Sequence, residues 1–130
     1  TPEELLGKGI EVIERDGWYQ GDLYEGRPPG GVSVVAAATA PVCAMGSLWR
    51  AVAGTCDAEM TEATQGQRQV WAASVTDASE RLRLTILNAT GRLWGEGAYE
   101  GTVAGFNDDP ATTKEDVILM MKRAAHDHSA

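Results

Sequence analysis

Cys43 is the first candidate for chemistry. It opens the segment C-A-M-G-S-L-W-R-A (Cys43 to Ala51), near the expected start of a helix. The positive end of a helix dipole lowers a thiol pKa, and many cysteine nucleophiles use that setting. A nucleophile also needs a base. The two histidines, His126 and His128, stand in the last five residues, and Asn107 and Asp108 can orient an imidazole but not replace one. The competing reading makes Cys43 a small buried hydrophobe beneath a loop, and it is favoured. No catalytic residue is assigned.

The run Asn107-Asp108-Asp109-Pro110 offers adjacent carboxylates, which can hold Mg²⁺ or Ca²⁺. A calcium loop needs oxygen ligands at alternate positions and a distant closing Glu, which this run lacks. An Asx turn fixed by Pro110 and leading into a capped helix is the better reading. His126-x-His128 is too short to supply three or four metal ligands. Gly7-x-Gly9 falls inside a helix, Gly26 to Gly31 lacks the lysine of a phosphate loop, and Gly95-x-Gly97 precedes no capped helix. No metal and no cofactor are expected.

The formal net charge of −8 on 130 residues bears on partners. Repulsion from a phosphate backbone or an anionic bilayer argues against nucleic acid and membrane. No apolar run nears the ~20 residues of a membrane span, and the start Thr-Pro-Glu-Glu is the opposite of a basic signal sequence. Two cysteines, Cys43 and Cys56, make no disulfide framework, so reduced thiols in a cytoplasm are expected. Most acids are assigned to solvated helix faces. Of the four tryptophans, Trp49 lies on an apolar helix face, Trp18 follows a helix end, and Trp71 and Trp94 are the first candidates for a contact surface.

The elements that position these residues follow from period and caps. Thr1, Pro2 and Glu4 start a helix whose stripe is Leu6, Ile10 and Ile13, ending at Asp16 with Gly17 as a left-handed cap. Residues 18–31 read as a loop pinned by Trp18, Tyr19 and Tyr24. Val32 to Ala38 reads as a short strand or an extended lead-in. A second helix is expected from Pro41 to Gly54, with Val42, Met45, Trp49 and Val52 on one face. Residues 55–75 stay open between helix and extended chain. A third helix is expected from Thr76 or Asp77, with Leu82, Ile86, Ala89 and Leu93 as its stripe. A glycine-rich stretch to Gly105 follows, anchored by Val103 and Phe106. Thr112-x-x-Glu115 is read as the capping box of a last helix that buries Val117, Met121 and Ala124. The expected fold is mainly α: a single compact domain over 1–125 with about four helices, long glycine-rich loops and room for a small β-hairpin. Residues 126–130 form a frayed tail.

Three segments carry a family resemblance: I-E-R-D-G-W-Y-Q-G (Ile13 to Gly21), C-A-M-G-S-L-W-R-A (Cys43 to Ala51) and F-N-D-D-P-A-T-T-K-E-D-V (Phe106 to Val117). In this order the chain resembles a family of small uncharacterised proteins of actinobacteria and their phages, with Gly-Trp-x-Gln-Gly, Cys-Ala-x-Gly and Trp-Asn-Asp motifs. It departs at Phe106, where the family usually has Trp. The resemblance implies no activity. It implies that Gln20, Gly21, Cys43, Gly46, Asn107 and Asp108 meet in space beside Trp18, as a polar knot or a small pocket.

The leading expectation is a small protein-binding or regulatory domain, phage-encoded and acting on a host protein in the cytoplasm. The rivals are a small-ligand protein or cysteine-dependent enzyme centred on Cys43, Asn107 and Asp108, and a structural or virion-associated oligomerising protein. A monomer or small homo-oligomer is expected.

Overall fold

The computed structural model describes residues 1–92, 94 and 102–126. Leu93, Gly95, Gly97, Gly101, His128 and the rest of the tail beyond His126 lie outside the described residues. Six helices are described: α1 (Pro2–Asp16), α2 (Val34–Thr39), α3 (Ala44–Ala53), α4 (Gln65–Thr90), α5 (Thr102–Asp108) and α6 (Lys114–His126), with a 3-10 turn at Ala58–Met60. The fold is mainly helical, as its composition and periodicity predict. Among the described residues, β structure is limited to isolated bridges.

Helix α1 packs against α3, α6 and α4, and α4 in turn against α3, α5 and α6. The core lies between them and includes Leu6, Ile10 and Ile13 of α1, Leu48 of α3, Leu82 and Ile86 of α4, Phe106 of α5, and Val117, Met121 and Ala124 of α6. Gly9 is why α1 comes so close to its neighbours. A Cβ there would stand 2.9 Å from the Met121 Cε and 3.0 Å from the Leu48 Cδ2. Thr1 caps α1 by accepting from the Glu4 N–H at 3.2 Å.

The exit from α1 differs from the expected left-handed cap. Gly17 has φ 100° and ψ 165°, so the chain leaves extended. The cause is a partner segment: the Gly17 carbonyl accepts from Val42 N–H at 3.0 Å, and the Tyr19 N–H donates to the Val42 carbonyl at 2.9 Å. On its other edge the same segment accepts from Glu25 N–H at the Pro41 carbonyl and donates from Cys43 N–H to the Leu23 carbonyl. Val42 therefore bridges Trp18 in parallel and Tyr24 antiparallel. With these backbone groups committed, helix α3 cannot start at Pro41, and it begins at Ala44 with Cys43 as its cap. Its buried face is Ala44, Ser47, Leu48 and Arg50, while Met45, Trp49 and Val52 are half-buried.

Three further differences concern helix ends. Val34–Thr39 is a helix rather than a strand, because Ser33 accepts from Ala36 N–H at 3.2 Å and Arg50 takes its last carbonyls. Six residues do not hold a helix alone, so tertiary capping decides. Helix α4 starts at Gln65, capped by Thr64, and runs straight through Thr76 and Asp77. Gly66 is harmless there because it sits in the first turn. At the far end Gly91 closes α4 in the left-handed conformation. The capping box of α6 is shifted by one residue: Thr113 Oγ1 accepts from Asp116 N–H at 3.2 Å and Asp116 Oδ2 from Thr113 N–H at 2.9 Å. Thr112 instead is buried and donates its N–H to the Asp109 carbonyl. The glycine-rich stretch gives way to α5 at Thr102, and Val103 and Phe106 are buried anchors.

Candidate functional site

The residues of the three motifs meet at the ends of three elements: the segment after α1, the start of α3 and the end of α5. Asn107, 1% exposed, stands at the centre. Its Oδ1 accepts from the Trp18 Nε1 at 2.8 Å and from the Ala44 N–H at 2.9 Å. Its Nδ2 donates to the Tyr19 carbonyl at 3.0 Å and to the Asp108 Oδ1 at 2.9 Å. A primary amide has two lone pairs and two N–H groups, so all four positions are filled.

Two of these bonds satisfy backbone groups, the Ala44 N–H and the Tyr19 carbonyl, and two hold the Trp18 and Asp108 side chains. Ala44 is the first residue of α3, and its N–H has no partner within the helix. Asn107, 63 residues away, supplies the acceptor. Gln20 does the converse at the end of α5, where its Nε2 donates to the carbonyls of Asn107 at 3.0 Å and Asp109 at 2.8 Å. Asp108 Oδ1 also accepts the Gly21 N–H at 3.0 Å. The cluster is a reciprocal capping arrangement in which a loop and two helix ends complete one another.

Cys43 and Gly46 join from α3. The Cys43 Sγ accepts from the Gly46 N–H at 3.3 Å. Gly46 lies hard against the loop: a Cβ there would stand 2.2 Å from the Leu23 carbonyl oxygen. Burial pushes the Cys43 thiol up to about 12, against the opposing pull of the Gly46 and Met45 N–H groups. The helix-start effect is thus present, but desolvation outweighs it. Cys56 is also buried and free, donates to the Gly46 carbonyl at 3.3 Å, and burial pushes its thiol up to about 11. Among the described residues no group of three or more His, Cys, Asp or Glu side chains is placed to hold a metal.

Sequence reasoning missed Arg50, a second buried polar centre. It is 3% exposed and uses all five N–H groups. Nε and Nη2 donate to the Ala37 carbonyl at 3.1 and 2.9 Å, and Nη2 also to Ala36 at 3.1 Å. Nη1 donates to the Ala40 carbonyl at 2.6 Å and to Asp16 Oδ2 at 2.9 Å. The guanidinium thereby closes the end of α2 and ties it to α1. Arg15 and then Arg50 hold the Asp16 carboxyl below the usual carboxylate range. The available signal was that Arg50 is the sole charge in A-M-G-S-L-W-R-A-V-A.

The two tryptophans considered for a contact surface have different settings. Trp94 is half-buried and meets Phe106 edge-on, with ring centres 5.5 Å apart, while the Arg92 guanidinium lies over the Trp94 ring, 3.7 Å from its centre. Trp71 is half-buried on α4. His126 is exposed at the end of α6 and lies outside the cluster.

The sequence pattern of a family of unknown function, DUF6197, matches residues 1–127. The chain belongs to DUF6197. The match spans all three elements that build the Asn107 cluster, so the cluster lies wholly within the DUF6197 region. No curated protein matches the chain, and no solved structure does. Among the described residues no helix is long and apolar enough to cross a membrane.

Proposed function

We propose that this DUF6197 chain is a protein-binding or regulatory domain, phage-encoded and acting on a host protein in the cytoplasm. One observation carries the reading: apolar side chains stand in solvent while the polar centre is closed. Val34 is 65% exposed, Val35 74%, Met60 58% and Val70 59%. Val34 and Val35 adjoin at the start of α2, and neighbouring exposed apolar side chains are where a contact with another protein is sought. The acidic excess suits a partner of opposite charge.

A thiol enzyme centred on Cys43, Asn107 and Asp108 needs a thiolate and open hydrogen-bonding positions. The thiol at about 12 is almost wholly protonated at neutral pH, and the Asn107 amide is filled. The cluster accordingly serves as a structural staple in this reading. Iodoacetamide at neutral pH is expected to leave Cys43 unmodified in the folded chain.

Affinity capture from an actinobacterial host lysate, with mass spectrometry, tests the binding role. The expected result is a specific protein retained at both moderate and high salt. Recovery of nothing above the control at any salt concentration overturns the proposal.

A further inference from the structure

A groove of about 670 Å³ opens between the loop after α1 and the turn that follows α3. Its rim carries three carboxylates, Asp22, Asp57 and Glu59, against one cation, Arg27. Its apolar lining includes Pro29 and Val32. Leu23 and Pro28 add to it. Carboxylates and apolar side chains therefore line one concave place.

The floor of the groove is fixed. Tyr24, 1% exposed, accepts the Ser33 N–H on its phenol oxygen at 3.3 Å. Leu23 is held by the Cys43 N–H, and Cys56 donates its N–H to the Ala37 carbonyl at 2.9 Å. The walls are thus tied to α2 and α3, so little ordering is lost when a ligand enters. Arg27 shows which group the rim accepts. Its Nη1 donates to Asp22 Oδ1 at 2.9 Å, yet both side chains remain more than a third exposed. Such an open pair is weak and screened by salt, so a guanidinium from outside can take Arg27's place.

We propose that this groove docks an arginine-bearing segment of a partner protein, its guanidinium on the Asp22, Asp57 and Glu59 rim and an adjacent apolar side chain against Pro29 and Val32. The inference rests on the protein-binding reading and gives that reading a place and a partner chemistry. Charge complementarity selects the occupant. The rim is net acidic on a chain of net charge −8, and guanidinium is the cation that pairs with carboxylates in fixed geometry.

The probe is a fluorescein-labelled dodecapeptide of glycine and serine that carries Arg-Leu-Arg at its centre. Its partner control carries Glu-Leu-Glu, and spermidine supplies the charge-only control. Binding is read by anisotropy, and its location by amide chemical shifts. The expected shifts lie within residues 22–35 and 55–60. The double variant D57N/E59Q is expected to weaken the arginine peptide at least tenfold. The double variant E11Q/E14Q removes the same charge from exposed α1 and is expected to change binding less than twofold. Equal weakening by the two variants, equal shifts with spermidine, or no shifts in the groove overturns the assignment. If the host protein captured by the wild-type chain binds D57N/E59Q with undiminished affinity, the groove assignment falls and the protein-binding reading stands.

Discussion

Two buried polar side chains organise the same part of this molecule, and they do so by opposite electrostatics. Asn107 is neutral and sits where a loop meets the start of α3 and the end of α5. Arg50 is charged and sits where α2 ends against α1. Both have every hydrogen-bonding position filled, and both replace helix partners that short elements cannot supply. The neutral centre needs no counter-ion. The charged one carries a desolvation cost that is offset only while Asp16 and three backbone carbonyls stay in place. The difference teaches that a loop-rich helical domain can be stapled in two ways, one centred on a neutral amide and one on a buried charge that depends on its counter-ion.

Breaking the charged staple should have the largest effect. Arg50→Met leaves the carbonyls of Ala36, Ala37 and Ala40 and the Asp16 carboxylate without their donor, and should cost about 3–5 kcal/mol in chemical denaturation. Far-ultraviolet circular dichroism should also show partial loss of helix, from α2. Asn107→Ala removes four bonds at once. It should cost about 3 kcal/mol by the same measurement, from unsatisfied buried groups at roughly 1–3 kcal/mol each with partial relaxation.

The pH response reads both centres. Asp16 is held below its ordinary value, first by Arg15 and then by Arg50. Its stabilising share is therefore complete above the ordinary value of 3.8 and is lost as pH falls below it. Asp16→Asn should be less stable than wild type at neutral pH and converge with it in acid. Asn107→Asp gives the same trend by the opposite cause, a carboxylate gained rather than lost. A buried carboxylate beside Asp108 has its pKa raised, so its penalty appears as pH rises and fades in acid. Unfolding midpoints measured across pH 2.5 to 7 check both. A deficit against wild type that does not grow with pH, in either variant, would contradict this account.

Trp18→Phe gives the smallest effect. It deletes one of the four bonds to Asn107 and keeps most of the ring, so about 1 kcal/mol is expected. Stability unchanged within error would mean that the indole N–H bond to Asn107 contributes nothing.

The contrast also explains what the sequence made legible. Helix α1 was readable because Thr1, Pro2 and the Leu6–Ile10–Ile13 stripe act locally. The final helix was readable for the same reason, with its box displaced from Thr112 to Thr113, since adjacent threonines offer both registers and burial selects one. The Asn107 centre was visible as a motif, but its bonds to Trp18, Tyr19 and Ala44 span 63 to 89 residues, and no local rule names the Ala44 N–H as a partner. Arg50 was hidden because burial of a charge depends on carbonyls of α2, an element that itself forms only when Arg50 caps it. The start of α4 was obscured by Gly66 and by Thr76-Asp77, which resemble a cap but lie mid-helix.

The central claim is that the Asn107 cluster is a closed staple and not a ligand site. Amide hydrogen exchange at Ala44 tests it most directly. A first-turn helix amide has no intrahelical acceptor and exchanges readily unless something else binds it. Protection of Ala44 equal to that of the core amides of Leu48 and Leu82, and lost in Asn107→Ala, is the predicted result. Fast Ala44 exchange in the wild-type chain while Leu48 and Leu82 stay protected would contradict it, because the cluster would then open on its own and offer its groups to a ligand.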